Sequence, residues 1–448
     1  MLIRFIVSNF MSFKEETEFN MLPASGQKRL KEHIYSAGGV DVLKMGAIYG
    51  ANGSGKSNLV KAVGLLQKIV LESDFGGIKK FKLDKNYITE PTTFEIEFET
   101  KGKIYSYYLS LSINTILEEY LYETGLKDDK LIFSRVTNNG ITRINMSEEY
   151  TETEEGRLRI KLYETDLLKD NACLLRMMSE SKEAFIDIKN AYRWLTKGFE
   201  IVRPTDISFF LSGALHQFPE VGNFLNEHVC SLNTGISSIT LESSDINLFF
   251  SKDEVKKLED LKSALSNRKD GIFLNEDSNY SPYAVIENGQ VVAKEVVSFH
   301  KDKDGTAVKF NIDEESDGTR RLLDLLPWLI SIIDSQATLL IDEIESSIHV
   351  NLLKELISKF SKDNNTKGQL IFTTHESNLL DQDILRQDEI WFAEKSPAGE
   401  TGFYPLSDYE IRSDLDIRKG YLNGRFGAVP FLANLHDLNW DKYAKEEV

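Results

Sequence analysis

The sequence predicts an α/β fold built around a phosphate-binding loop, and three observations carry that prediction. First, the apolar run "VLKMGAIYG" ends in glycine and leads through Gly50-Ala-Asn-Gly-Ser-Gly55-Lys56-Ser57 into "SNLVKAVGLLQKIVLES". There Leu59, Val60, Val63, Leu66 and Val70 fall near helical spacing, so a buried strand precedes the loop and a helix follows it. Second, the stretches "RRLLDLLPWLISIID", "ATLLI", "VNLLKELISKF", "GQLIFTT" and "DEIWFAEK" alternate helix-like and strand-like patterns, as in a largely parallel, layered sheet. Third, strand-rich, alternating segments lie between these two parts, so a mixed sheet with an antiparallel β subdomain is expected.

In chain order, "LIRFIVSNFMSF" is rich in β-branched and aromatic residues and reads as an opening strand. After the loop and its helix come "TTFEIEFET", "KIYSYYLSLSI", "YLYETG" and "LIFSRVTNNGITRIN", the last with an Asn-Gly hairpin signal. From about 155 to 270 the texture becomes helical, charged and poor in glycine. "TDLLKDNACLLRMMSESKEAFIDIKNAYRWLTKGF" carries the longest helical pattern there, and "EVKKLEDLKSALSNR" is a second amphipathic stretch. Strand-like segments return after about 280 around "ENGQ" and "KDKDG". The division expected is an N-terminal lobe over 1–154, a helical insertion (a lid or short coiled coil) over 155–280, and a C-terminal lobe over 281–448. Pro327 falls inside a predicted helix and should bend or interrupt it.

The bulk numbers exclude several classes. With 448 residues, 41% hydrophobic and 28% charged, the chain has the composition of an ordinary globular protein. The formal net charge of −18 gives no general attraction to nucleic acid. DNA contact would need local basic patches, of which "KKFKLDKNY" from Lys79 is the nearest. No apolar run reaches membrane-spanning length and no apolar signal segment follows Met1, so no membrane partner is expected. Cys173 and Cys230 have no neighbours at metal-ligand spacing. They read as packing residues of a protein in a reducing, cytoplasmic setting.

Four pieces carry chemistry. In the loop, glycines Gly50, Gly53 and Gly55 let backbone N–H groups turn inward toward phosphate oxygens, and the helix that follows adds its N-terminal dipole. Asn52, Ser54 and Asn58 complete the binding stretch, Lys56 is placed to neutralise the β- and γ-phosphates of ATP, and Ser57 to ligate Mg²⁺. "ATLLIDEIESS" delivers Asp342 and Glu343 at a strand's C-terminal end, where ligands sit in open α/β sheets. Asp342 would hold the metal, directly or through water, and Glu343 would orient and polarise the attacking water. "LIFTTHES" ends a further buried strand at His375, a position suited to sensing a γ-phosphate. In "EESDGTRRLLDLLPWL", Ser316 can cap a helix starting near Gly318, which would make a second anion-binding helix start. That second start could serve a nucleotide on another subunit, or be an ordinary cap.

These pieces, in this order, resemble the ABC-type ATPase heads of the SMC and RecF proteins. The resemblance implies an ABC-type P-loop ATPase head with ATP and Mg²⁺ as cofactors. It implies that Ser316, Asp317 and Gly318 act in trans as a signature within an ATP-sandwich dimer, and that Glu345, Ser346 and Ser347 sit in the inter-head loop. "NFMSF" is similar to the N-terminal strand motif of that group. The expected Q-loop glutamine is not found in the 90–125 region, which leaves Glu118 or Glu119 as substitutes. "ESDGTRRLL", "LLIDEIESSIH", "QLIFTTHESNLLD", "DEIWFAEK" and "RKGYLNGRFGAVPFL" look more specifically like the RloA and AbiLi-type ATPases of prokaryotic anti-phage systems, with the ATPase subunit of the PARIS system as a relation.

The function this implies is an ATP-binding and ATP-hydrolysing sensor or scaffold, a dimer or larger homo-oligomer, that controls a partner effector such as a TOPRIM-type nuclease. The chain itself shows no acidic nuclease cluster after His375. The alternative is an SMC- or RecF-like repair or chromosome ATPase acting on DNA; the acidic charge and the short insertion count against it. A transporter ATPase fits the insertions poorly. The segment Arg418 to Leu432 joins cations (Arg418, Lys419, Arg425), aromatics (Tyr421, Phe426, Phe431) and glycines. It reads either as an interface or as a loop folded back on its own head.

Overall fold

The computed structural model describes residues 1–125, 127–181, 185–204, 209–232, 234–251, 254–266, 271–274, 282–411 and 415–429. At its centre is a six-stranded sheet. Its strands are β11 (Phe199–Val202), β17 (Thr338–Ile341), β18 (Gln369–Thr374), β5 (Met45–Tyr49), β19 (Ile390–Lys395) and β20 (Thr401–Pro405), in that order. The first five run parallel and β20 closes one edge antiparallel. β5, β17 and β18 are buried along their whole length, which is why they read as continuous apolar runs rather than alternating ones.

Because side chains alternate across a strand, the sheet feeds two cores. Ile48, Leu340, Ile371 and Trp391 face one core with Leu59, Val63, Leu66 and Val70 of helix α1 (Lys56–Glu72). Ala47, Tyr49, Leu339, Ile341 and Phe372 face the other, with Leu325 and Leu329 of α9 (Asp317–Ser331) and Leu353 and Ile357 of α10 (Val350–Lys362). The α/β fold class expected from the sequence is the one observed. α9 runs on through Pro327 instead of stopping there. Leu322, Leu323, Leu325, Leu326 and Leu329 are buried on both sides of the proline, so packing outweighs the one hydrogen bond it removes.

The antiparallel subdomain is a seven-stranded sheet ordered β10 (Ile141–Met146), β9 (Lys130–Asn138), β8 (Ile116–Thr124), β7 (Lys103–Leu111), β6 (Thr92–Thr100), β1 (Leu2–Ser8) and β2 (Thr17–Asn20). Asn139 and Gly140 turn β9 into β10 with φ of 50° and 75°, the double left-handed turn that Asn-Gly favours. A small hairpin, β3 (Ile34–Ala37) and β4 (Val40–Leu43), leads into β5.

The single helical insertion expected over 155–280 is not what forms. Helices α2 (Glu148–Thr151), α3 (Glu154–Leu162), α4 (Leu174–Ser179) and α5 (Ile186–Arg193) are short. Those of the first half pack into the core beneath the antiparallel sheet and α1. The long helical pattern is broken because its polar and aromatic residues are claimed by the sheet. The Glu119 carboxylate on β8 accepts the Leu174 and Leu175 N–H groups at 2.7 and 2.9 Å, restarting the helix there. Trp194 stacks on Phe98 of β6 at 4.1 Å between centroids. β11 then joins the central sheet. Beyond it, α6 (Phe209–Gln217), α7 (Pro219–His228) and α8 (Val255–Ser266) lie with a third sheet. That sheet orders β12 (Ile236–Asp245), β15 (Gln290–Lys301), β14 (Tyr283–Glu287) and β13 (Ile272–Phe273), with β16 (Ala307–Asn311) also on β15. Among the described residues of the segment the longest helix, α8, has 12 residues, so there is no coiled coil. The third sheet also crosses the expected 280/281 boundary.

Cys173 is buried, and burial holds its thiol pKa well above the usual value. Cys230 is exposed rather than packed. In the described part of the tail, α11 (Ile417–Leu422) carries Tyr421 under the central sheet. Its ring stacks on Phe392 at 5.5 Å and meets Tyr49 edge-on at 6.0 Å. Phe426 is fully buried and also stacks on Phe392. The interface reading therefore fails for Tyr421 and Phe426, which are core. Arg418, Lys419 and Arg425 stay exposed, and Phe431 and Leu432 lie outside the described residues.

No helix among the described residues is long and apolar enough to cross a membrane.

Candidate functional site

The site forms at the C-terminal edge of the parallel strands, where the loop Gly50–Gly55 joins β5 to α1. Gly55 caps α1 with φ of 112°, a conformation other residues rarely take. A β-carbon there would also overlap the Thr401 side chain, and one at Gly50 would overlap the Ala393 carbonyl. The loop is thus pressed between α1 and the strands β19 and β20. Thr401 ties it down, its hydroxyl lying 2.8 Å from both the Ser54 carbonyl and Ser12 Oγ. Asn58 donates to the same Ser12 hydroxyl at 2.7 Å. Ser12 belongs to the "NFMSF" turn, so the first strand's motif is wired directly to the phosphate loop.

Lys56 is buried, and its ammonium donates to the Gly50 and Ala51 carbonyls at 2.7 and 3.2 Å. Burial pushes its pKa down to about 8, against the opposing pull of Glu345, Asp342 and Glu343. His375 Nδ1 lies 3.1 Å from the Gly50 carbonyl and 3.3 Å from Lys56 Nζ. It can donate to the first or accept from the second, but not both, so its tautomer is linked to what Lys56 holds. Ser57 Oγ donates to Asp342 Oδ1 at 3.1 Å. Asp342 Oδ1 also accepts from Thr373 Oγ1 at 2.6 Å.

An open cleft of about 400 Å³ is lined by residues 52–58, Lys61, Glu343, His375 and Lys395. The structure therefore brings together Asn52, Gly53, Ser54, Gly55, Lys56, Ser57, Asn58, Glu343 and His375, with Gly50 and Asp342 directly behind them. Clustered backbone N–H groups, a helix N-terminus and four cationic or ionisable donors, Lys56, Lys61, His375 and Lys395, suit a polyphosphate. Ser57 and Asp342 supply adjacent hard oxygen donors. No cluster of three or more His, Cys, Asp or Glu side chains suited to a metal occurs among the described residues. Such a sparse protein set fits Mg²⁺, which keeps waters and phosphate oxygens as its other ligands.

Ser316 and Gly318 lie outside this cleft. Ser316 caps α9, accepting the Thr319 N–H at 3.2 Å, and is exposed. Gly318 touches the loop after Asp342 and Glu343: a β-carbon there would come 2.6 Å from the Ser347 carbonyl. Glu345, expected at an inter-head contact, bonds within the chain, accepting the His375 N–H at 2.6 Å.

Glu118 and Glu119 do not reach the cleft. Glu119 is fully buried beside Arg135 and caps α4, while Glu118 opens on the outer face of the antiparallel sheet with Tyr108 and Tyr120. The stretch that emerges beside Asp342 is the one after β11, since Asp342 N–H bonds the Val202 carbonyl at 2.8 Å. It begins at Arg203 and Pro204, and residues 205–208 lie outside the described residues. The sequence reading also missed Lys61, Lys395, Ser12, Thr401 and Thr373. Lys61 follows Ser57 by four residues and is legible from helical spacing. The others depend on which strands are neighbours.

A phosphate loop and an Asp-Glu pair on nearby parallel strands point to a P-loop ATPase domain of the AAA type. The chain belongs to the family AAA_21, described as "AAA domain, putative AbiEii toxin, Type IV TA system", whose model matches residues 47–143 and 202–381. No curated protein matches the chain. Solved structures with similarity include the SMC head domain from Thermotoga maritima, at 14% identity and TM-score 0.40, covering 92% of this chain and 99% of that one. The SmcHead bound to the C-winged helix domain of ScpA is similar at 11% identity and TM-score 0.44, with 90% and 97% covered. The Smc head domain bound to the C-terminal domain of ScpA derived from Pyrococcus furiosus gives 13%, 0.41, 95% and 98%.

Proposed function

We propose that the protein binds ATP with Mg²⁺ in this cleft, hydrolyses it when two copies close over the nucleotide, and uses that cycle as the sensor of an anti-phage defence system governing a partner effector. The observation that carries the reading is the convergence on one edge of Lys56, Ser57, Asp342, Glu343 and His375 from three neighbouring parallel strands and their loops. The Lys56 ammonium exchanges its carbonyl acceptors for oxygens of the β- and γ-phosphates. Ser57 and Asp342 would hold Mg²⁺, which would neutralise developing charge on the phosphates when bound. Glu343 accepts a proton from the attacking water and His375 reports the γ-phosphate. Ser316 and Gly318 stand outside their own cleft on an exposed helix start, which supports their use on the partner's nucleotide. The defence role rests on the sequence resemblance and on the toxin–antitoxin description of the family; a nuclease is the effector this reading favours.

ATP-driven assembly tests the reading. Sizing with ATP and Mg²⁺ should show a dimer or larger species that Ser316→Arg prevents while that variant still binds ATP with near wild-type affinity. If Ser316→Arg loses ATP binding in the isolated chain, Ser316 acts in cis and the closed-pair model is wrong. Salt-sensitive binding to DNA would favour the DNA-acting alternative instead.

A further inference from the structure

The strand "QLIFTT" ends in two threonines where the pattern asks only for apolar residues, and both are fully buried. Buried hydroxyls need partners, and those of Thr373 are the acidic pair itself. Its Oγ1 donates to Asp342 Oδ1 at 2.6 Å and accepts the Glu343 N–H at 2.8 Å. Its own carbonyl accepts the Ile344 N–H at 3.1 Å. Glu343 is therefore pinned on both sides by one residue. That matters because Glu343 has φ of 51°, a left-handed backbone that a glutamate takes only when its surroundings impose it. The same Asp342 oxygen also accepts from Ser57 Oγ of α1 at 3.1 Å.

We propose that Thr373 is a positioning residue of the ATPase site. Its single hydroxyl fixes both the Asp342 carboxylate and the backbone turn that presents Glu343 to the cleft. His375 follows two residues later in the chain, just past the end of β18. The hydroxyl has one proton, and that proton goes to Asp342. The lone pairs receive Glu343 N–H, so no solvent water is needed to complete the arrangement. This rests on the reading of the cleft as an ATPase site.

The test compares wild type, Thr373→Val, Thr373→Ala and Thr373→Ser by ATP affinity, kcat, KM and the Mg²⁺ dependence of the rate. Valine keeps the shape and strand preference but lacks the hydroxyl, and alanine removes crowding as an explanation. Both should lose about tenfold in kcat, less than the ~10²–10⁴-fold that general acid–base catalysis contributes, because Glu343 itself remains. They should require more Mg²⁺ for half-maximal rate and keep ATP affinity within about twofold, because the phosphate loop is untouched. Serine should restore most of the rate. If a folded Thr373→Val or Thr373→Ala turns over ATP like wild type, or if serine fails as badly as they do, Thr373 is packing only and the inference is wrong. If wild type itself does not hydrolyse ATP, it is the reading of the cleft that fails.

Discussion

Lys56 shows how one residue's surroundings prepare it for an anion. Two carbonyls hold its ammonium, and burial lowers its pKa to about 8. An arriving triphosphate favours the charged form, so it must raise that pKa. Above the free-state value the lysine is mostly neutral and has to take up a proton on binding. ATP binding at pH 8.5, followed by calorimetry in buffers of different ionisation enthalpy, should therefore show uptake of roughly half a proton or more, falling toward zero near pH 7. Affinity should weaken by up to about tenfold per pH unit well above 8. Binding heats independent of the buffer at pH 8.5 would place Lys56 away from the phosphates. Lys56 and Ser57 are legible because local geometry fixes a loop's residues whatever the rest of the chain does, and Asp342, Glu343 and His375 because they follow directly on apolar strands. Glu119 shows the opposite case. Its chemistry suited a site, but only the fold reveals that its carboxylate is consumed by Arg135 and the start of α4.

At the scale of elements, strand order decides what periodicity cannot. β5, β17 and β18 were readable as buried strands. Thr401 and Lys395 join the site only because β19 lies beside β5 and β20 beside β19, and no local pattern encodes that adjacency. The helical texture of 155–270 misled for a related reason. Trp194 and the Leu174–Leu175 turn serve the antiparallel sheet, and tertiary contacts override helix propensity there. β11, four residues long, passed unnoticed inside that texture although it borders the Asp342 strand. The tail belongs with these elements. Tyr421 is packed against Phe392 and Tyr49 and donates to the Ala428 carbonyl. Tyr421→Ala should cost about 3–5 kcal/mol, the usual loss for a large buried aromatic, seen as an earlier melt or a lower denaturant midpoint. Unchanged stability would put the ring on the surface and return the tail to the list of interfaces.

On the scale of the whole molecule, two β-rich units accompany one largely parallel sheet, and the sheet's edge collects residues from positions 12 to 401 of the chain. The phosphate loop, Asp342, Glu343 and His375 all hang from β5, β17 and β18, so a shift between these strands would be felt at each of them. Ser316 sits on a separate helix whose Gly318 abuts the loop after Glu343. Closure by a second copy onto that helix start would thus press on the loop that carries Glu343. The most direct test of the central claim is ATP affinity and phosphate release measured together for wild type and Glu343→Gln. An amide cannot accept the water's proton, so the variant should bind ATP as tightly as wild type or tighter, yet release phosphate about 10²–10⁴-fold more slowly. It should also remain in the ATP-assembled form. Phosphate release at the wild-type rate would contradict the account, as would a loss of ATP binding in the folded variant.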